Sequence, residues 1–245
     1  ASTPQAIKVE GLPPNFDGLW APTAYMQDGK LVLLYCAGNQ TKDIMWPTFR
    51  LRRAVATTPG VFRDQGAIFP DLAPYGPGDQ DFGVIDPVRW VAPSGKAYLS
   101  YTVVRYGVAN KRYHEEAVHA REVDVHDPSR ALGPDRVVYA GLPKTSDDGV
   151  AEASDVVTLG KRAYVFVSSR AGDKDQRVLV APAPPDLGPL PAGALKPLLD
   201  PGGADWKAAA VGSTSAAAIN GKAYMVFQGM DRAERFTLGW TSLDQ

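Results

Sequence analysis

An all-β protein, a β-propeller of four repeated units, is what this sequence predicts, and three observations carry that expectation. Helical spacing of apolar residues is almost absent along the 245 residues. One element recurs instead: a Gly-Lys corner running into a β-rich strand, at 29–35, 95–101, 160–166 and 221–227. Gly29, Gly95, Gly160 and Gly221 lie 66, 65 and 61 residues apart, and a long period of this kind decides architecture before any single motif does. Short apolar runs around each corner complete the units, and four antiparallel strands repeated radially leave few open sheet edges. A β-sandwich with unrelated Gly-Lys hairpins is the alternative.

Taken in order, the first unit has strands at 21–26, 29–35, 52–57 and 66–69, and the second at 87–91, 95–101, 117–123 and 136–140. The third has them at 155–159, 160–166, 177–181 and 196–199, with the Pro-rich span 181–201 as a surface connection. The fourth, 216–219, 221–227 and 235–240, lacks a fourth strand. Residues 6–13 (AIKVEGLP) resemble 136–143 (RVVYAGLP), so the N-terminal strand is expected to complete the last unit and close the ring. The whole chain, 1–245, reads as one domain.

Charge narrows the partners. With 26 Lys+Arg against 27 Asp+Glu and no cationic run, the chain lacks the clustered positive charge that nucleic acid or an anionic membrane requires. Its longest apolar stretch, 31–37, is seven residues, far short of the roughly 20 that span a bilayer. The Ala1-Ser2-Thr3-Pro4 start suits a processed end, hence a secreted or envelope-exposed protein. A single Cys36 excludes an intrachain disulfide and a Cys-based zinc site, and reads as a small buried hydrophobe.

The mouths of the innermost strands would line a propeller's central pocket, and they differ: Trp20-Ala21-Pro22, Ile85-Asp86-Pro87, Ala151-Glu152-Ala153 and Gly212-Ser213-Thr214. This succession, with residues 55–66 (VATTPGVFRDQG) after the first unit, resembles glycoside hydrolase family 43 and its β-fructosidase relatives over most of the chain. The resemblance implies a central pocket holding three acids, in a family whose propellers have five blades. Asp86 resembles the Asp that tunes and orients, Glu152 the general acid, and Trp20 the aromatic that opens the second blade. The family's general base, on a blade ahead of the Trp-Ala-Pro element, has no match, and Asp17 is the only acid near the first mouth to stand in for it. Ser213 occupies the place of a His that holds a central calcium in many members. The resemblance therefore implies no metal and no cofactor here.

Glycosidic cleavage needs one carboxylic acid to protonate the leaving oxygen and a second carboxylate to activate water or attack the sugar carbon. The expected function is that of a hydrolase-like propeller, arabinofuranosidase- or xylosidase-like, binding a small-molecule or oligosaccharide ligand that contains a furanoside or pentose. The alternative is a propeller that binds such a ligand, or performs another reaction, without hydrolysis. Each residue also has a plainer reading. Glu152 could cap backbone amides, Asp86-Pro87 and Asp17-Gly18 could be turn chemistry, and Trp20 could fill the core between blades. Arg89, Trp90, Arg105 and Ser213 are further candidates for ligand contact. His114, His119 and His126 alternate as on a strand, without the i, i+4 pairing of a helical zinc site, and are expected on a solvent-facing outer strand. The tracts 145–149 (TSDDG) and 170–175 (RAGDKD) read as a pocket rim or solvated turn and as a hairpin tip.

Overall fold

Asp28-Gly29 and Asn220-Gly221 set the inner hairpins of the first and last units, because both corner residues take positive φ (49° and 73°, 51° and 78°), as a tight hairpin corner of this twist demands. The third unit differs by one residue. There Gly160 (φ 58°) takes the first corner position, between Leu159 and its partner Arg162, so its Gly-Lys pair is displaced by one relative to the other units. A slip of one residue exchanges the faces of a strand. Phe166 consequently lies opposite Asp155 and shares the position of Leu34 rather than that of Tyr35, the equivalence the repeated Gly-Lys motif suggests.

The structure, a computed structural model, describes residues 7–39, 48–69, 82–107, 112–140, 150–170, 176–191 and 193–243. It is a four-bladed β-propeller. The first blade comprises β1 (Lys8–Glu10), β2 (Gly18–Gln27), β3 (Lys30–Gly38), β4 (Arg50–Thr58) and β5 (Val61–Ala67). The second is β6 (Phe82–Val91), β7 (Ala97–Gly107), β8 (Arg112–Val123) and β9 (Arg136–Tyr139). The third is β10 (Val150–Leu159), β11 (Arg162–Arg170), β12 (Arg177–Pro182) and β13 (Lys196–Leu199); the fourth is β14 (Ala210–Ile219), β15 (Lys222–Met230) and β16 (Phe236–Leu243). Inner strands begin several residues before the expected 21, 87, 155 and 216, because each continues past a bulge at its mouth. β5 starts at Val61 rather than 66, because the chain reverses at once through Gly60 (φ 78°).

The N-terminal strand does not close the last blade. β1 runs parallel to β5, with Lys8, Val9 and Glu10 opposite Val61, Phe62 and Arg63, as a fifth strand of the first blade. The physical reason is apolar: Val9, Leu12 and Phe16 pack on Leu33, Tyr35, Ala54 and Phe62, and the connection to β2 is held by the Asp17 amide donating to the Gly38 carbonyl at 3.2 Å.

Strand alternation gives each blade two faces, and the blades stack front to back. Leu34 and Cys36 on the front of the first blade bury against Leu99, Tyr101 and Val103 on the back of the second. Tyr98, Val118 and Ala120 on the front of the second meet Val165, Val167 and Ala181 of the third. Phe166 and Val178 then meet Met225 and Phe227 of the fourth. Trp206 extends this last interface by lying across Gly229 and Gly239, where a Cβ would collide with its ring.

Two blades also carry a buried clasp to the outer strand. The Tyr35 hydroxyl donates to Asp64, whose two oxygens accept from Arg52 Nε and Nη2. In the second blade the Tyr101 hydroxyl donates to Asp135 at 2.6 Å and His119 Nδ1 lies 2.9 Å from the same carboxylate. His119 is thus buried rather than solvent-facing, because a neighbouring carboxylate and the Tyr101 ring satisfy it. His126 is exposed in the loop after β8, and His114 lies on β8. Residues 145–149 and 171–175 lie outside the described residues.

Candidate active site

Each inner strand carries one extra residue at its mouth, in a bulge between Trp20 and Thr23, Ile85 and Val88, Glu152 and Asp155, and Gly212 and Ser215. At the corresponding position of every bulge, a residue other than glycine adopts left-handed backbone: Ala21 (φ 46°), Asp86 (54°), Ala153 (48°) and Ser213 (49°). This conformation costs an L-residue roughly 1–2 kcal/mol, and its recurrence in all four blades marks a place where geometry outranks local stability. The bulge breaks strand alternation and turns these residues to the centre. All four line one cavity of about 440 Å³, together with Trp20, Pro22, Thr23, Val88, Ser154, Thr214, Ser215, Gln228 and Leu238.

Polar side chains of one blade hold the bulge of the next. Asp86 Oδ2 accepts from the Thr102 hydroxyl and from the Ala153 amide, both at 3.1 Å. The Ser213 amide donates to Ser168 Oγ at 2.8 Å. Asp155, buried between the third and fourth blades, accepts from the amides of Ala216 and Val156. Burial pushes the Asp155 carboxyl up to about 7 against those two donors.

Asp86 and Glu152 are close enough for their charges to interact, but of the two only Asp86 is among the residues that line the cavity. Burial, and then the charge of Glu152, push the Asp86 carboxyl up to about 7, while Thr102 and the Ala153 amide oppose that rise. Two carboxylates sharing one site resist double ionisation, which is the direction of the Asp86 shift. Glu152 Oε1 accepts from Gln176 Nε2 at 2.5 Å. Gln176 is itself fixed, since its carbonyl accepts from the Val211 amide at 2.9 Å, and a Cβ at Gly212 would fall 3.0 Å from its Cδ.

The other sequence candidates separate into two groups. Trp20 lines the cavity and also packs on Phe49, ring centroids 4.3 Å apart. Ser213 lines it from the last blade. Arg89, by contrast, lies over the Tyr25 ring and donates to the Val125 carbonyl, joining the first two blades. Trp90 is buried against Tyr98 and donates to Thr158 Oγ1 at 3.0 Å, in the core between the second and third blades. Arg105 lies on β7 outside the residues that line the cavity, and Asp17 is exposed in the connection before β2, likewise outside them. Among the described residues no cluster of three or more His, Cys, Asp or Glu is arranged to hold a metal ion.

Thr102, Gln176 and Gln228 escaped the sequence reading. Cys36, Thr102, Ser168 and Gln228 stand directly across from Trp20, Ile85, Glu152 and Gly212, so a mostly polar position recurring in otherwise apolar strands is the signal that finds two of them. Gln176 has no such signal, because it reaches Glu152 from beside a different strand.

No family model matches the chain, and no curated protein sequence does. Among solved structures it is similar to a thermostable family-43 glycoside hydrolase, with a TM-score of 0.70 and 15% identity over 93% of this chain and 72% of that one. It is also similar to an exo-1,5-α-L-arabinanase from a bovine ruminal metagenomic library (TM-score 0.67, 16% identity, 99% and 79% covered). A third is the α-L-arabinanase of Cellvibrio cellulosa complexed with arabinohexaose (TM-score 0.65, 20% identity, 94% and 76% covered). In fold, this four-bladed chain with its strained central mouths is a propeller of the glycoside hydrolase family 43 kind.

Proposed function

We propose that this protein is a glycoside hydrolase-like propeller acting on a furanoside or pentose-containing saccharide in the central cavity. One observation carries the reading: Asp86 lines a cavity shared with Trp20, Ser213 and Gln228, and Glu152, in the next mouth, is near enough for its charge to act on it. Thr102 and the Ala153 amide both donate to Asp86 and hold its carboxyl in place. In this reading Glu152, its Oε1 held by the Gln176 amide, is the general acid that protonates the leaving oxygen. Asp86 then orients the acid or a sugar hydroxyl, and the Trp20 ring offers a face for the sugar. The Thr214 hydroxyl, buried in the cavity wall with no hydrogen-bond partner among the described residues, is a further polar group available there. The likeness to arabinanases, one of them solved with arabinohexaose, supports the substrate class.

A second reading, binding without hydrolysis, is favoured by the place of Asp17: it stands outside the cavity wall, leaving the water-activating carboxylate unassigned. Kinetics on aryl arabinofuranosides and xylosides separates the two. For a hydrolase, Glu152→Gln lowers kcat by about 10²–10⁴-fold, with a smaller loss on activated leaving groups that need little protonation, and leaves thermal stabilisation by pentose oligosaccharides intact. Absence of turnover by the wild type, with that stabilisation present, sinks the hydrolase reading in favour of binding.

A further inference from the structure

One front-face position sets the first blade apart from the other three. Leu34, Ser100, Phe166 and Val226 stand across from the residue that ends each bulge. Two residues before them come Val32, Tyr98, Tyr164 and Tyr224. Tyr98 fills the interface between the second and third blades, its ring 5.7 Å from that of Trp90. With valine in that place, the front of the first blade keeps a trough of about 500 Å³ over Val32 and Val55, and none of the residues that line it lines the central cavity. Three cations surround this apolar floor, one from each of three adjacent strands: Lys30 of β3, Arg53 of β4 and Arg63 of β5. The place of Arg53 is taken by Ala120, Val180 and Trp240 in the later blades, so its charge there is particular to the first. Arg63 stands across from Val55 and Arg53 two residues before it, which makes the two arginines diagonal neighbours on one face, roughly 7–8 Å apart at their stems.

We propose that this trough is a second binding site, for a sugar that carries one carboxylate. The charges nearby fit a single anion. Asp28 stands in the wall, and Asp127 of the second blade lies 3.7 Å from Arg53 Nη1, beyond hydrogen-bond reach. Glu10 acts on Arg63 but is paired with Lys8 at 2.7 Å. Three cations against Asp28 and Asp127 leave one positive charge uncompensated, which a carboxylate matches and a phosphate monoester, at about 1.5–2 negative charges, exceeds. Arg53 also bonds the Tyr25 hydroxyl, yet its buried Nε has no hydrogen-bond partner among the described residues. A carboxylate set between Arg53 and Arg63 accepts from both guanidinium groups, with Lys30 adding its charge. The Thr57 hydroxyl and the Gln65 amide, also in the wall, can donate to or accept from ring hydroxyls, and Val32 and Val55 meet the C–H face of the ring. Gln27, donating to the His126 carbonyl, closes one side. The volume lies within the roughly 300–1,000 Å³ of small-molecule pockets. This site is independent of the reaction at the central cavity.

Titration calorimetry with glucuronate, glucose, acetate and inorganic phosphate tests the proposal. Glucuronate is expected to bind with a Kd at or below about 1 mM, at least about tenfold more tightly than the other three, and to weaken as salt rises. Arg63→Gln, at an exposed side chain, removes a hydrogen bond to a charged group and weakens glucuronate at least about tenfold. Val32→Tyr places in the trough the ring that the other blades carry and abolishes binding. Lys161→Gln, at the exposed hairpin corner of the third blade, leaves binding unchanged. Circular dichroism verifies that each variant is folded, and Arg63→Gln decides the matter should Val32→Tyr fail to fold. No binding of glucuronate overturns the proposal, as does binding of acetate, glucose or phosphate as tight as that of glucuronate, or glucuronate binding indifferent to Arg63→Gln.

Discussion

The middle mouths and the outer mouths of this propeller share a backbone and differ in chemistry. Ala21 and Ser213, at the first and last blades, take the same left-handed conformation as Asp86 and Ala153, yet only the middle pair of blades places carboxylates there, Asp86 at the bulge and Glu152 just before it. The difference teaches that the bulge is a positioning device common to the fold, whereas acid–base capacity comes from the side chain at each mouth and from the groups, on its own blade or the adjacent one, that hold it. Asp86 has Thr102 and the Ala153 amide; Glu152 has Gln176; Ser213 has Ser168.

Three substitutions test that division, after the loss already expected of Glu152→Gln. Gly212→Val removes the support of Glu152 without touching either carboxylate, since a Cβ at 212 would stand 3.0 Å from Gln176 Cδ and 3.2 Å from Ser168 Oγ. A hydrogen bond to a charged group contributes about 1.5–3 kcal/mol, so kcat on aryl pentosides should fall roughly 10- to 100-fold. An unchanged kcat would show that Gln176 is dispensable.

Asp155→Asn acts on stability and its pH dependence. A carboxyl raised from 3.8 to about 7 in the folded state binds its proton more tightly there than in the unfolded chain. Its stabilisation is therefore full below about pH 3.8 and is lost as the pH rises through 7. Asp86 acts in the same direction. Thermal melts at pH 5 and pH 8 should show a larger drop for the wild type than for Asp155→Asn; equal drops would refute the buried charge as the cause.

The smallest effect belongs to Ala21→Gly. Glycine relieves the left-handed strain at φ 46° but loses more entropy on folding, so a gain of up to about 1 kcal/mol is expected. A clear loss of stability in chemical denaturation would contradict the strain at the mouths.

Much of this was legible beforehand because hairpins and alternation are local. The four units, Asp86 and Glu152 at the mouths, and the buried Cys36 all follow from strand pattern. The one-residue slip at Gly160 was not legible, because Gly-Lys occurs in both hairpin registers. Arg89 and Trp90, close to Asp86 in sequence, do not reach the cavity: beyond the bulge, ordinary alternation resumes and carries Arg89 toward the first blade and Trp90 toward the third.

By itself, then, the chain determined its strands, its repeat and the residue types at each mouth, since these depend on neighbours a few positions away. Tertiary structure alone decided that β1 joins the first blade and that Gln176 reaches Glu152. Those outcomes depend on which apolar faces find partners across tens of residues of intervening chain, and burial of a face is a property of the assembled sheets rather than of any one strand.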